Sequence, residues 1–110
     1  MSSYTEISAD ELHAMMQGES KPLLIDVRTR DEIAKGIIPG AIHIPLSQLE
    51  LRAHELDSDE PLVFYCHSGI RSAQAGSFLA HHGRDNVFNL RGGILAWNRS
   101  DYPLTPRTQE

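Results

Sequence analysis

The sequence contains a single cysteine, Cys66, and no long apolar run among its 110 residues. One cysteine cannot form an internal disulfide, so the fold has to be held together by packing. No segment reaches the roughly 18 consecutive apolar residues that span a membrane, which argues against a membrane partner. The first residues lack the basic start and the apolar stretch of a secretory signal, so we expect a cytoplasmic protein.

Positive charge is also scarce, because 10 lysines and arginines stand against 15 aspartates and glutamates, giving a net charge of −5. Nucleic-acid-binding proteins usually concentrate positive charge, so this balance argues against a nucleic acid as a partner. The hydrophobic share of 40% is that of an ordinary globular protein. We expect one domain over residues 1–110, with a core from about residue 7 to about residue 103.

Five short segments rich in apolar residues are predicted to be strands. Residues 22–27 and 61–65 are continuous apolar runs, which are typical of strands buried on both faces. Residues 41–45 and 86–90 alternate in part, and residues 4–7 form a weaker fifth candidate.

Helical segments lie between these strands. Three of them open with a hydroxyl residue three positions before a glutamate, the capping-box pattern, at residues 8–11, 29–32 and 47–50. A further helix is predicted over residues 72–82, and a short one around residues 95–97. Strands that alternate with helices predict an α/β domain with a mostly parallel sheet and helices on both faces.

The segment Cys66-His67-Ser68-Gly69-Ile70-Arg71-Ser72 carries the most specific signal in the chain. It follows an apolar strand and leads into a helix, and parallel α/β sheets bind their ligands at this end of the strands. Backbone N–H groups at such a turn point into one concavity, which favours an anion. A cysteine there should be stabilised as the reactive thiolate, and Arg71 adds a positive charge.

A structural interpretation of the same residues is that Cys66 is a buried packing residue and Arg71 a solvated one. The order of strand, cysteine, glycine, arginine and helix favours the functional interpretation instead.

This loop resembles the active-site loop of the rhodanese family. The run Leu24-Ile25-Asp26-Val27-Arg28, then Glu32, then Gly36-Ile37-Ile38-Pro39-Gly40-Ala41, resembles the family's N-terminal signature. The run Leu90-Arg91-Gly92-Gly93-Ile94-Leu95-Ala96-Trp97 resembles its C-terminal signature. The resemblance implies a rhodanese-like three-layer domain with a central, mostly parallel five-stranded sheet.

The resemblance also implies a sulfurtransferase with Cys66 as its catalytic nucleophile. Cys66 would take the outer sulfur of thiosulfate, release sulfite and hold the sulfur as a persulfide, until an acceptor such as cyanide or a thiol removes it. The residues implied to bind the substrate are His67, Ser68, Gly69, Ile70, Arg71 and Ser72. The resemblance implies neither a metal nor an organic cofactor.

Two other functions remain open. One is a persulfide carrier, or sulfur-relay module, that docks on a partner protein and turns over poorly with small molecules. The other is a phosphatase or arsenate reductase on the same fold. Phosphatase relatives have the spacing Cys-x5-Arg, whereas this chain has four residues between Cys66 and Arg71, so the spacing favours sulfur transfer.

Other polar residues are predicted to be mainly structural. Arg28 and Glu32 are four positions apart and are expected to form an ion pair. Asp26 either supports the catalytic loop or caps a helix, and the sequence does not decide between these roles. Trp97 is expected to anchor the core with its indole N–H bonded. The histidines show no metal-ligand spacing, so no metal site is expected.

Overall fold

A computed structural model of the protein describes residues 3–106, and residues 1–2 and 107–110 of the expected domain lie outside the described residues. The elements follow in the order β1 (Thr5–Ile7), α1 (Ala9–Gln17), β2 (Leu23–Asp26), α2 (Arg30–Ile33), β3 (Ile42–His43), α3 (Leu49–Arg52), β4 (Leu62–Tyr65), α4 (Ile70–His81), β5 (Val87–Leu90) and α5 (Gly93–Arg99). Short 3-10 helices, Leu46–Gln48 and Ala53–Leu56, flank α3. Within this described part, no helix has the length and apolar character needed to cross a membrane.

The five strands form one sheet in the order β1-β5-β4-β2-β3. The predicted sheet is confirmed, and every one of its strand pairings is parallel. The carboxyl ends of all five strands therefore lie at the same edge of the sheet. β4 is the central strand, so the loop that follows it emerges in the middle of this edge.

Two hydrophobic cores cover the two faces of the sheet, which gives the predicted three layers. Side chains alternate between the faces along a strand, so Phe64 of β4 lies in one core and Tyr65 in the other. The first core also takes side chains of α3 and α4, and the second takes those of α1 and α5. Cys66 belongs to the first core and therefore lies on the α4 side of the sheet.

Two of the three predicted capping boxes are confirmed. At the start of α1, the Glu11 amide donates to Ser8 Oγ at 3.0 Å, and the Ser8 amide donates to Glu11 Oε1 at 2.7 Å. Thr29 and Glu32 make the same reciprocal pair at the start of α2.

The third predicted capping box, at residues 47–50, is wrong. Ser47 lies inside the 3-10 helix that follows Pro45, and no side chain caps the start of α3. Proline fixes its own φ near the helical value and so begins the turn before the hydroxyl residue is reached.

The two helices nearest the carboxyl edge are longer than predicted. α4 begins at Ile70 rather than at residue 72, so its first turn is part of the loop. α5 spans Gly93–Arg99 rather than only residues 95–97. Trp97 is confirmed as a core anchor, because it is buried and its Nε1 donates to Pro103 O at 2.7 Å.

Candidate active site

Cys66 follows β4 directly and lies at the carboxyl edge of the sheet. The residue is only 1% exposed. Two donors are directed at its sulfur, the Gly69 N–H with N···Sγ at 3.1 Å and the Ser72 hydroxyl with Oγ···Sγ at 3.4 Å. Hydrogen bonds to the charged form of a group favour that form, so this environment stabilises a thiolate.

The pKa of the Cys66 thiol lies below its ordinary value. Burial acts in the opposite direction and raises the pKa, because desolvation penalises the thiolate. The Ser72 hydroxyl outweighs this together with the backbone N–H groups of Ser72, Gly69 and Ser68. The expected direction is therefore found, and the donors responsible are neutral groups.

Gly69 allows the loop to turn back toward the sulfur. Its φ is 104°, in the left-handed region that residues with a Cβ rarely adopt. A Cβ at this position would lie 3.2 Å from Gly92 N and 3.3 Å from Leu90 O. Glycine is thus needed here both for its dihedral angle and for the close approach of the next loop.

The first turn of α5 holds the beginning of the loop that runs from Cys66 to Ser72. The Ile94 amide donates to Cys66 O at 2.9 Å, and the Leu95 amide donates to His67 O at 3.3 Å. A Cβ on Gly93 would lie 2.4 Å from His67 O and 2.6 Å from Cys66 O. Only a glycine at this position lets the two backbones meet.

Arg71, the expected cation of the loop, is bound to Glu32 of α2. Its Nη1 donates to Oε1 at 2.7 Å and its Nη2 donates to Oε2 at 2.8 Å. The two side chains are 33% and 31% exposed, so the pair lies at the rim of the site. The hydrogen bond from Arg71 is the largest cause that lowers the pKa of Glu32 to about 2. With Glu32 ionised, the pair brings no net charge to the rim.

The expected ion pair between Arg28 and Glu32 is wrong. Arg28 pairs with Asp26 instead, Nη2 to Oδ2 at 2.8 Å, and both side chains are almost fully buried. A buried charge costs free energy unless it is paired, and Asp26, the last residue of β2, pairs with the buried guanidinium of Arg28. Arg28 also donates to Gly36 O at 2.7 Å. The carboxylate of Asp26 therefore holds Arg28 and does not cap α2, whose cap is Thr29.

Tyr65 extends this buried pair on the side of the sheet opposite to Cys66. Its hydroxyl oxygen accepts from the Ile38 amide at 3.0 Å, and the Arg28 guanidinium lies 5.7 Å from the ring centroid. Burial, followed by the charge of Asp26, raises the pKa of Tyr65, so the hydroxyl stays protonated. The contacts tie the strand that carries Cys66 to the segment after α2.

The remaining loop residues divide into an inner and an outer set. Gly69 and Ser72 are buried and face the sulfur. His67, Ser68 and Ile70 are exposed, and Ile70 reaches 70% exposure although it is a large apolar residue. The outer side chains are the ones that a substrate or a partner can contact.

Two residues that hold the loop are not apparent from the sequence patterns. The sequence patterns mark Glu32 as a helix cap, as part of the N-terminal signature and as a partner of Arg28, but none of them indicates that it binds Arg71, 39 positions along the chain. Asn89 of β5 donates its Nδ2 to Gly69 O at 3.2 Å. The sheet register brings Asn89 to the loop, and no local pattern signals such a contact.

The histidines have individual environments. His13 stacks on Tyr102 with ring centroids 4.1 Å apart, and His43 Nε2 lies 2.7 Å from Arg28 O. Across residues 3–106, no group of three or more His, Cys, Asp or Glu side chains could hold a metal ion.

Residues 8–100 match the protein family described as "Rhodanese-like domain". The chain is 41% identical to a sulfurtransferase of Allochromatium vinosum, over 90% of this chain and 92% of the relative. It is 33% identical to the thiosulfate sulfurtransferase GlpE of Shewanella oneidensis, over 92% of this chain and 99% of the relative. The solved structure of a rhodanese-related protein from Thermoplasma volcanium is similar with a TM-score of 0.85 and 32% identity, over 93% and 98% of the two chains.

Proposed function

The chain belongs to the rhodanese-like family, and we propose that it is a sulfurtransferase that carries sulfane sulfur as a persulfide on Cys66. The observation that carries this proposal is the pair of donors on Cys66 Sγ, the Gly69 N–H at 3.1 Å and the Ser72 hydroxyl at 3.4 Å. These donors favour the thiolate, which is the nucleophilic form of a cysteine. The names of the relatives support sulfur transfer as the reaction class.

The proposed reaction consists of two displacements. In the first, the Cys66 thiolate attacks the outer sulfur of thiosulfate, and the bond between the two sulfurs of thiosulfate breaks with its electron pair leaving on sulfite. In the second, an acceptor attacks the outer sulfur of the persulfide, and the Cys66 thiolate leaves. Cyanide would give thiocyanate, and a thiol would give a new persulfide. Dividing one transfer into two easier steps is the general advantage of covalent catalysis.

The backbone of the loop is proposed to stabilise the intermediate. The outer sulfur of a persulfide is itself anionic and lies next to Sγ, so the N–H groups at the start of α4 are suited to bind it. Gly69 and Ser72 would then serve the thiolate and the persulfide in turn.

The rim of the loop is proposed to bind the donor, through His67, Ser68, Ile70 and Arg71. Two N–H groups of Arg71 bind Glu32, and the guanidinium has five, so the others are proposed to bind the sulfonate oxygens of thiosulfate. Arg71→Ala is then expected to weaken thiosulfate binding by about 1.5–3 kcal/mol.

Intact-mass spectrometry tests the proposal directly. Incubation with thiosulfate should add about 32 Da, one sulfur atom, and cyanide or dithiothreitol should remove it. Because Cys66 is the only cysteine, the gain has a single possible thiol site, and Cys66→Ser should show none. An unchanged wild-type mass after incubation with thiosulfate, and separately with mercaptopyruvate, contradicts the proposal.

A persulfide carrier is the second candidate, and the exposed Ile70 favours it. A large apolar side chain that is 70% exposed beside the nucleophile suits a protein acceptor. Steady-state production of thiocyanate separates the two functions. Continuous turnover supports the enzyme, whereas a mass gain with slow turnover supports the carrier. Turnover of an aryl phosphate without any mass gain would instead support the phosphatase.

A further inference from the structure

Asn89 is a polar residue inside the sheet, next to the catalytic loop. It lies in β5, whose neighbours are β4 and β1, and it is only 1% exposed. Along β5 it alternates onto the same face as Val87, which belongs to the core that also contains Cys66. Its side chain therefore lies on the same face of the sheet as Cys66 and contacts the loop.

The side-chain amide of Asn89 serves two acceptors. Nδ2 donates to Gly69 O at 3.2 Å and to Glu6 Oε2 at 3.0 Å. Glu6 is the residue opposite Asn89 in the parallel pairing of β1 with β5. Because the carbonyl and the carboxylate can only accept, the NH2 group must face them and Oδ1 must point away.

This orientation leaves Asn89 Oδ1 buried without a hydrogen-bond partner among the described residues. An unpaired buried acceptor costs free energy, which offsets part of the stability that the two hydrogen bonds of Nδ2 contribute. An apolar side chain of the same size would avoid that cost. The contact with Gly69 O therefore has room for a role besides stability.

The backbone of Gly69 indicates that role. Its N–H is directed at Cys66 Sγ, and its carbonyl oxygen accepts both from Asn89 and from the Ala73 amide at 3.2 Å. Glycine has the widest backbone freedom of all residues, so its peptide planes rotate easily unless they are held. The carbonyl and the N–H of Gly69 lie in adjacent peptide planes that meet at its Cα, so a contact that fixes the carbonyl anchors one of the two planes and narrows the range of directions open to the N–H.

We propose that Asn89 is a positioning residue, which holds the Gly69 carbonyl so that the Gly69 N–H stays directed at the Cys66 sulfur, while Glu6 orients the amide. The proposal deepens the function proposed above, since it concerns the same thiolate. Asn89 acts through Gly69 and does not touch the sulfur.

The substitution Asn89→Leu separates positioning from stability. It removes the unpaired oxygen, Gly69 O keeps its bond from Ala73, and the exposed Glu6 regains water. A purely structural residue would lose stability and leave the thiol unaffected. The positioning role predicts a denaturation midpoint that is unchanged or higher. It also predicts that alkylation by iodoacetamide near pH 7 slows by about three- to tenfold, with the pH profile moved to higher pH.

Asn89→Asp is the second variant, because it has almost the same shape but presents oxygens to Gly69 O and to Glu6. Alkylation of Asn89→Asp near pH 7 is expected to be slower than that of wild type. At low pH the introduced carboxyl is protonated and can donate, so the rate relative to wild type at the same pH should partly recover. Asn98→Asp, at an exposed position of α5, is the matched control and should leave the alkylation profile unchanged. If both Asn89 variants unfold, the wild-type NMR titration decides, because the Asn89 side-chain and Gly69 amide signals should then shift together with the thiol.

Unchanged alkylation profiles in folded Asn89→Leu and Asn89→Asp overturn the proposal. So do Asn89 side-chain NMR signals that do not shift as the thiol titrates. Alkylation needs no sulfur donor, so this result is independent of the mass gain with thiosulfate. If Asn89→Leu is alkylated more slowly and the wild-type mass stays unmodified after incubation with thiosulfate, the positioning role is supported and the sulfurtransferase function is contradicted.

Discussion

Arg71 donates two hydrogen bonds, of 2.7 and 2.8 Å, to the carboxylate of Glu32 at the rim of the loop that contains Cys66. The pairing joins the first turn of α4 to α2. The pairing also changes the expected role of Arg71. Its positive charge is balanced by the Glu32 carboxylate, so the guanidinium is not the main source of thiolate stabilisation. That stabilisation comes from the Ser72 hydroxyl and from backbone N–H groups.

The substitution Glu32→Gln is expected to lower the free energy of unfolding near neutral pH and to have a smaller effect on it in acid. The pKa of Glu32 is lowered to about 2, below the ordinary 4.5, so the carboxylate stabilises the fold fully above about pH 4.5. The contribution declines as the pH falls toward 2. Urea unfolding at about pH 7 and about pH 3 measures it, with the exposed Glu50→Gln as control. An equal effect of Glu32→Gln at both pH values would mean that the Arg71 pair does not stabilise the fold.

Ser72→Ala is expected to slow alkylation of Cys66 near pH 7 by about three- to tenfold, because it removes a donor from the thiolate. The pKa of Cys66 should rise, so the thiolate fraction falls at neutral pH. Ser77→Ala, on the exposed side of the same helix, should behave like wild type.

Neutral salt should change the wild-type alkylation profile little, because salt screens charges and the donors here are neutral. A strong salt dependence would show that Arg71 contributes after all.

Gly93→Ala is expected to abolish sulfur transfer and to destabilise the protein. A Cβ would approach His67 O to 2.4 Å, and the φ of 60° is unfavourable for alanine. The matched control is Gly83→Ala, whose φ of 92° is also positive but whose Cβ would meet nothing within 4 Å. The control should lose only the dihedral contribution, about 1–2 kcal/mol, and keep its activity. If the two variants behave alike in urea unfolding and in the production of thiocyanate from cyanide, the close approach of Gly93 to the loop contributes neither to stability nor to sulfur transfer.

Asp26→Asn is expected to destabilise the protein by about 3–5 kcal/mol, because it leaves the buried Arg28 without its carboxylate. Asp59→Asn, at an exposed position, should change little. Chemical denaturation provides the measurement. A loss below about 1 kcal/mol would imply that the Arg28 guanidinium reaches water or another acceptor when Asp26 is changed.

Much of the fold follows from local signals that the sequence displays directly. The apolar runs predict all five strands, and the hydroxyl–glutamate spacing predicts the start of α1 at Ser8 and of α2 at Thr29. The same spacing fails at Ser47 because Pro45 begins a 3-10 turn first. A capping pattern is therefore informative only where nothing before it starts the helix.

The side-chain partners could not be predicted in the same way. A separation of four residues suggests a pair of Arg28 with Glu32 only if both lie on one helix, but Arg28 precedes α2 and points into the core. The partners of Glu32 and Asn89 are set by how distant elements meet. Sequence spacing therefore predicts Cys66 as the nucleophile, whereas the contacts that shape its loop require the three-dimensional structure.

The donors that surround the Cys66 sulfur come from the main chain and from Ser72, while the side chains of His67, Ser68 and Ile70 face outward. The groups that lower the pKa of the Cys66 thiol are thus separate from the side chains that are exposed on the loop. A library randomised at these three positions should retain thiol reactivity in most of its members while differing widely in acceptor choice. Under the proposed function, the loop is a starting point for directed evolution in which acceptor choice and thiol reactivity can be varied independently.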